Sequence, residues 1–93
     1  MFEFYVFEWQ GVVWLYDDNE RTHICSSQPT IYAYPMYGQT QHDQDSLDHL
    51  EPTYFSPELV AMENPMFVLS VDEEDAEQAW EQAMEEVSAN HPI

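Results

Sequence analysis

FEFYVFEWQGVVWLY, residues 2–16, decides how this chain folds. Two runs rich in aromatic and β-branched residues, FEFYVFEW (2–9) and GVVWLY (11–16), flank Gln10-Gly11, which reads as a turn or bulge. Side chains alternate between the faces of a strand. Phe2, Phe4 and Val6 therefore share one face of the first run, and Tyr5, Phe7 and Trp9 share the other. Apolar groups on both faces predict a central strand, or one whose second face meets a partner or a twin subunit. DDNE (17–20) is a strong turn signal, and RTHIC (21–25) returns as a third strand, giving a meander of two or three strands.

Beyond the meander, TIYAY (30–34) reads as a short strand closed by Pro35. GQTQHDQDSLDHLEP (38–52) is polar and reads as a long loop or a short helical turn around Leu47 and Leu50. Ser56-Pro57-Glu58 is a helix start, with Ser as cap and Pro at the first position, so a short helix is expected over 57–63. It must stop near Asn64, because Pro65 disfavours the αR conformation before it. MFVLSV (66–71) then reads as a buried strand.

The last element carries the anomaly. DEEDAEQAWEQAMEEV (72–87) holds eight carboxylates and no base. Ala76, Ala79, Trp80, Ala83, Met84 and Val87 recur at spacings of three and four, which predicts a helix with one apolar stripe. Asp72 is placed to cap it, with Asp75 as the reciprocal partner of a capping box. Beside the stripe, Glu73, Glu77, Glu81 and Glu85 form an i, i+4 row with steps of about 6 Å. Each like-charged step destabilises a helix by about 0.2–0.5 kcal/mol, so three steps cost on the order of 1 kcal/mol. Glu85 and Glu86 add to that cost, because they sit at the negative end of the helix dipole. A sequence shaped for stability alone would carry Lys at 77 or 85.

Acidity extends over the whole chain. Its 93 residues suit a single domain (1–93), and 44% hydrophobic content with three Trp, six Tyr and five Phe is enough to bury a core. Charged residues make up 22%, an ordinary share, but 19 Asp and Glu face one base, Arg21, for a formal net charge of −18. Such a surface repels nucleic acid and anionic membranes and attracts basic proteins. One cysteine, Cys25, excludes an internal disulfide. The apolar N-terminus lacks a basic flank and is interrupted by Glu3 and Glu8, unlike a signal peptide, and no apolar run approaches the roughly 18 residues of a membrane span. The chain reads as soluble and cytoplasmic.

Three explanations for the acidity compete. Salt adaptation gives acidic, lysine-poor surfaces, but a salt-adapted chain is expected to keep arginine and limit large apolar groups. A basic partner that does not bind nucleic acid, such as a toxin masked by an antitoxin, is the second. Imitation of nucleic acid is the third. Duplex DNA carries one negative charge per about 1.7 Å of axis, and its binding proteins gather Lys and Arg to meet it. A folded protein with carboxylates every several Å can enter the same cleft.

In its size, its extreme acidity, its near-absence of bases, its many aromatics and its acid-faced helix, the chain resembles the small acidic DNA-mimic proteins of phages and mobile elements, of the anti-CRISPR and anti-restriction type. That resemblance implies a non-enzymatic inhibitor occupying the basic nucleic-acid-binding surface of a host defence complex, either a CRISPR effector or a restriction enzyme. The implied partner is a basic nucleic-acid-binding protein or ribonucleoprotein, met in the host cytoplasm if the gene is phage-borne. No direct binding of nucleic acid is expected. Candidate contact residues are Glu73, Glu74, Glu77, Glu81, Glu85 and Glu86 of the helix, Asp17, Asp18 and Glu20 of the turn, and Asp43, Asp45 and Asp48 of the loop.

Catalytic and metal chemistry find little support. His23, Cys25, His42, Asp43, Asp45, Asp48 and His49 include potential metal ligands, but His42-x6-His49 matches no familiar zinc spacing, so solvated loop residues are expected and no metal or cofactor is assigned. Cys25 beside His23 lacks an orienting third group for nucleophilic catalysis. Two glycines, Gly11 and Gly38, leave no phosphate-cradling loop. Tyr32, Tyr34, Tyr37 and Tyr54 with Phe55 would suit a stacking platform for single-stranded nucleic acid, but such platforms sit in positive grooves. They read as core or protein-interface residues. The expected fold is therefore α+β: an antiparallel sheet of about four strands packed against a C-terminal acidic helix through Trp80 and Met84. Whether two copies pair stays open.

Overall fold

A computed structural model describes residues 1–18, 21–22 and 29–89. The fold is α+β, as the sequence implies, with somewhat more strands than expected. β1 (Phe2–Trp9), β2 (Val12–Asp17), β3 (Arg21–Thr22), β4 (Pro29–Gly38), β5 (Thr53–Phe55) and β6 (Met66–Val71) pair antiparallel throughout. Five of them run in the order β3-β4-β2-β1-β6, and β5 pairs with β4.

The opening hairpin forms as its sequence suggests. Trp9 faces Val12 across a two-residue loop, Gln10 and Gly11, with φ of 51° and 78°. Positive φ at both central positions is the signature of the type I′ turn, whose twist matches that of paired strands. Glycine is needed at 11 for a second reason. A Cβ there would lie 2.7 Å from Asp43 Oδ2, because α1 (Gln41–Ser46) packs against the turn. Gly38 meets the same helix, where a Cβ would come within 2.5 Å of the Asp43 carbonyl carbon, and its N–H donates to Gln44 Oε1 at 2.9 Å. Both glycines of the chain thus make room for α1.

Two local expectations need correction. β4 is not closed by Pro35 but runs on to Gly38. Pairing with β2 shifts register between Val13 and Trp14, opposite Pro35, and an irregularity of this kind tolerates a residue without an N–H. The polar stretch 38–52, read as a long loop or a short helical turn, takes the helical alternative. Thr40 caps α1 by accepting from the Asp43 N–H at 3.2 Å, and a 3₁₀ turn (Leu47–His49) follows. β6 is buried only in part: Val71 enters the core, but the strand pairs with β1 alone among the described residues, and Met66 and Phe67 are 69% and 55% exposed.

Other expectations hold. α2 (Pro57–Met62) is capped by Ser56, whose hydroxyl accepts from the Leu59 N–H at 3.2 Å, and it ends before Asn64 at φ 54°. That left-handed residue is a common way to leave a helix ahead of proline.

β1 lies between β2 and β6, which explains its two apolar faces. On one face Phe4 and Leu15 pack with Val71 and with Ala79, Ala83 and Val87 of α3 (Ala76–Ala89). On the other, Phe7, Trp14 and Tyr16 pack with Phe55 and Val60, and with Leu47 and Leu59 at the margin. The second face of β1 is therefore covered by this chain's own segment 47–60. No helix among the described residues is long and apolar enough to cross a membrane.

Candidate functional site

α3 is held to the sheet by its smallest residues. Ala79 and Ala83 are fully buried, and so is most of Val87, while Trp80 and Met84 are half-buried at the edge of the contact. The two alanines let the backbone approach Phe4 and Leu15 closely, and Trp80 sets its ring edge-on to Phe4 at 5.0 Å. Trp80 and Met84 pack against the same cluster, as expected, from its half-buried margin. Ala76, assigned to the apolar stripe, is exposed at the helix start.

The helix begins later than its acidic sequence implies. Asp75, not Asp72, occupies the capping position: its carboxylate accepts from the Glu77 N–H at 3.0 Å, and its carbonyl accepts from the Ala79 N–H at 3.0 Å. No Asp72–Asp75 capping box forms among the described residues. Glu73 consequently lies before the helix, half-buried, with its own carboxylate accepting from the Glu74 N–H at 3.1 Å. The i, i+4 row therefore consists of Glu77, Glu81 and Glu85, all exposed, spanning about 12 Å at 1.5 Å per residue. Two repulsive steps remain, worth about 0.4–1 kcal/mol together. Glu74 is exposed just ahead of the row. Glu86 turns to another side, where it lines a cavity of about 210 Å³ with Val6, Tyr37, Met66, Phe67, Val68 and Val87.

The remaining acidic candidates separate. Asp17 is only 4% exposed within β2, so burial withdraws its side chain from any docking partner. Asp18 is exposed, and its N–H donates to the Glu3 carbonyl at 2.7 Å. Its charge has a measurable neighbour. Burial, then Asp18, then Tyr5 push the Tyr16 phenol up to about 12, and burial, Asp18 and Glu3 raise that of Tyr5. Glu20, like His23 and Cys25, falls outside the described residues. Asp43 is half-buried against the two glycines and accepts from the Thr40 hydroxyl at 2.9 Å, so it serves the α1 start. Asp45 and Asp48 are exposed. Among the described residues no three His, Cys, Asp or Glu side chains converge on a point where a metal ion would bind.

One grouping is anticipated in part, since the sequence reading sets Tyr32, Tyr34 and Tyr54 together but not Trp80. Tyr32 faces Tyr54 across β4 and β5, and the tyrosines join Trp80 of α3 in a run of rings. Centroids lie 4.7 Å apart for Tyr54–Tyr32, 5.2 Å for Tyr32–Tyr34 and 4.8 Å for Tyr34–Trp80. The period-2 spacing of Tyr32 and Tyr34 was visible in the sequence, but β5 is three residues long and gives no signal that brings Tyr54 to them. Tyr37 and Phe55, grouped with these tyrosines by sequence, go elsewhere: Tyr37 lines the cavity beside Val87, and Phe55 is buried on the opposite face.

No protein-family model, curated protein or solved structure matches the chain.

Proposed function

We propose that this protein is a non-enzymatic inhibitor that imitates nucleic acid and occupies the basic nucleic-acid-binding surface of a host defence complex. One observation carries the reading. Glu77, Glu81 and Glu85 stand in a solvent-facing row on a helix anchored by Ala79 and Ala83, and the chain's one base, Arg21, cannot neutralise the row and 16 further acids. The row costs helix stability through its two like-charged steps, which the helix dipole offsets only at Glu77 in the first turn. Facing a cleft built to bind phosphates, the same carboxylates meet Lys and Arg at spacings of about 6 Å. Glu74 extends the charge at one end, and Asp45, Asp48 and Asp18 add to the long-range field that steers a basic partner.

Capture from a bacterial lysate, with and without competing duplex DNA, tests the reading. The expected outcome is retention of a nucleic-acid-binding protein that DNA displaces and rising salt releases, with no gel shift of duplex DNA by the purified protein alone. Retention indifferent to DNA, or a clear gel shift, contradicts it.

A further inference from the structure

We infer that Tyr32, Tyr34, Tyr54 and Trp80 form an aromatic box that takes the guanidinium of an arginine presented by the partner. The four residues line a surface cavity of about 300 Å³, at the lower end of the range of small-ligand sites (about 300–1,000 Å³). Their rings are held at angles, 45° for Tyr32–Tyr54, 81° for Tyr32–Tyr34 and 55° for Tyr34–Trp80, so the run bends instead of stacking flat. A bent wall of rings offers several negative π faces to one bound group, and a cation within about 6 Å of such faces is attracted by their quadrupoles.

Chemistry selects the occupant. Glu77 lies one turn before Trp80, at the i, i+3 spacing that makes side chains neighbours on a helix surface. An anion such as a nucleotide phosphate is repelled by that carboxylate and by the net charge of −18, and a neutral aliphatic group gains nothing from either. A compact, tetrahedral ammonium presents no flat face to a wall of rings. A planar guanidinium stacks on aromatic faces and carries a delocalised positive charge, so it suits both the rings and their acidic surroundings. The box also needs a firm base, and Trp80 has one in its edge-on contact with buried Phe4 at 5.0 Å. This inference deepens the proposed function and rests on it only for the source of the arginine. The box and the carboxylate row share α3, so an arginine anchored between the rings would hold the row against neighbouring bases.

NMR titration of the full chain with three blocked Gly-X-Gly peptides tests the box without any target, so it can fail while capture of a target succeeds. The arginine peptide is expected to shift ring resonances of Tyr32, Tyr54 and Trp80. Its neutral citrulline counterpart should bind at least tenfold more weakly. Tyr54 is 52% exposed, so Tyr54→Leu should keep the fold and weaken arginine binding at least tenfold. Tyr54→Phe keeps the ring and should weaken it less. Equal affinity for arginine and citrulline, shifts confined to the carboxylate row, or unchanged affinity in Tyr54→Leu each overturns the box. Tighter binding of the trimethyl-lysine peptide than of the arginine peptide overturns the guanidinium assignment.

Discussion

The two faces of the sheet solve the same packing problem in opposite ways. One is covered by a single regular element, α3, which touches the sheet through alanine and valine with Trp80 and Met84 at the margin, and turns the row Glu77, Glu81 and Glu85 outward. The other is covered by short pieces, β5, α2 and the 3₁₀ turn, whose Phe55 meets Phe7, Trp9 and Trp14 edge-on at 5.2, 5.1 and 4.9 Å. Aromatic burial concentrates stability on the irregular face. The regular face is left free to carry a surface that weakens its own helix. A division of this kind lets a small protein keep a costly charge pattern without losing its fold.

The comparison breaks most directly at Phe55. Phe55→Ala removes the ring that three others pack against and is expected to cost about 3–5 kcal/mol in urea unfolding. A loss below about 1 kcal/mol would show that the irregular face is not the main store of stability. Ala83→Leu probes the other face. It forces a larger side chain into a fully buried contact and is expected to cost about 1–3 kcal/mol, lifting α3 while the aromatic cluster stays intact. Equal disturbance of Phe55 and Val87 resonances would mean that the two faces do not act separately.

Alkaline titration sharpens the same contrast more gently. The native Tyr16 phenol titrates near 12 against an ordinary 10, so between those values the native state holds a proton that the unfolded state has lost. The Tyr16 contribution is therefore complete below about pH 10 and disappears as pH rises through about 12. Asp18→Asn should lower the Tyr16 midpoint in ultraviolet absorbance, since Asp18 is the second cause of the shift after burial. An unchanged midpoint would remove Asp18 from that account.

Much of the fold was legible. The β1–β2 hairpin, α2 with its Ser56 cap and the apolar stripe of α3 follow from local rules of period, turn chemistry and capping. Where the reading failed, the deciding contact was distant in sequence. Pro35 sits inside a strand because the pairing with β2 shifts register opposite it. MFVLSV is as apolar as a buried strand, but its place beside β1 at the sheet edge leaves Met66 and Phe67 outside. Asp72 and Asp75 both suit a cap, and only the start of the helix decides between them. For the candidate site, the carboxylate row was legible from Glu77 onward because it needs nothing but helical period. Burial of Asp17 and the meeting of Tyr54 with Trp80's neighbours depend on pairings that no local pattern encodes.

The central claim is that the α3 row serves recognition at the expense of stability, and one triple variant separates the two. Glu77→Gln, Glu81→Gln and Glu85→Gln together remove both repulsive steps while helix propensity barely changes. Urea unfolding should show unchanged stability or a gain of up to about 1 kcal/mol. Affinity for the captured target should fall about tenfold or more, since exposed charge pairs are each worth about 0.2–1 kcal/mol and desolvated ones more. Undiminished binding by this variant would contradict the account and leave the row as a solvated face.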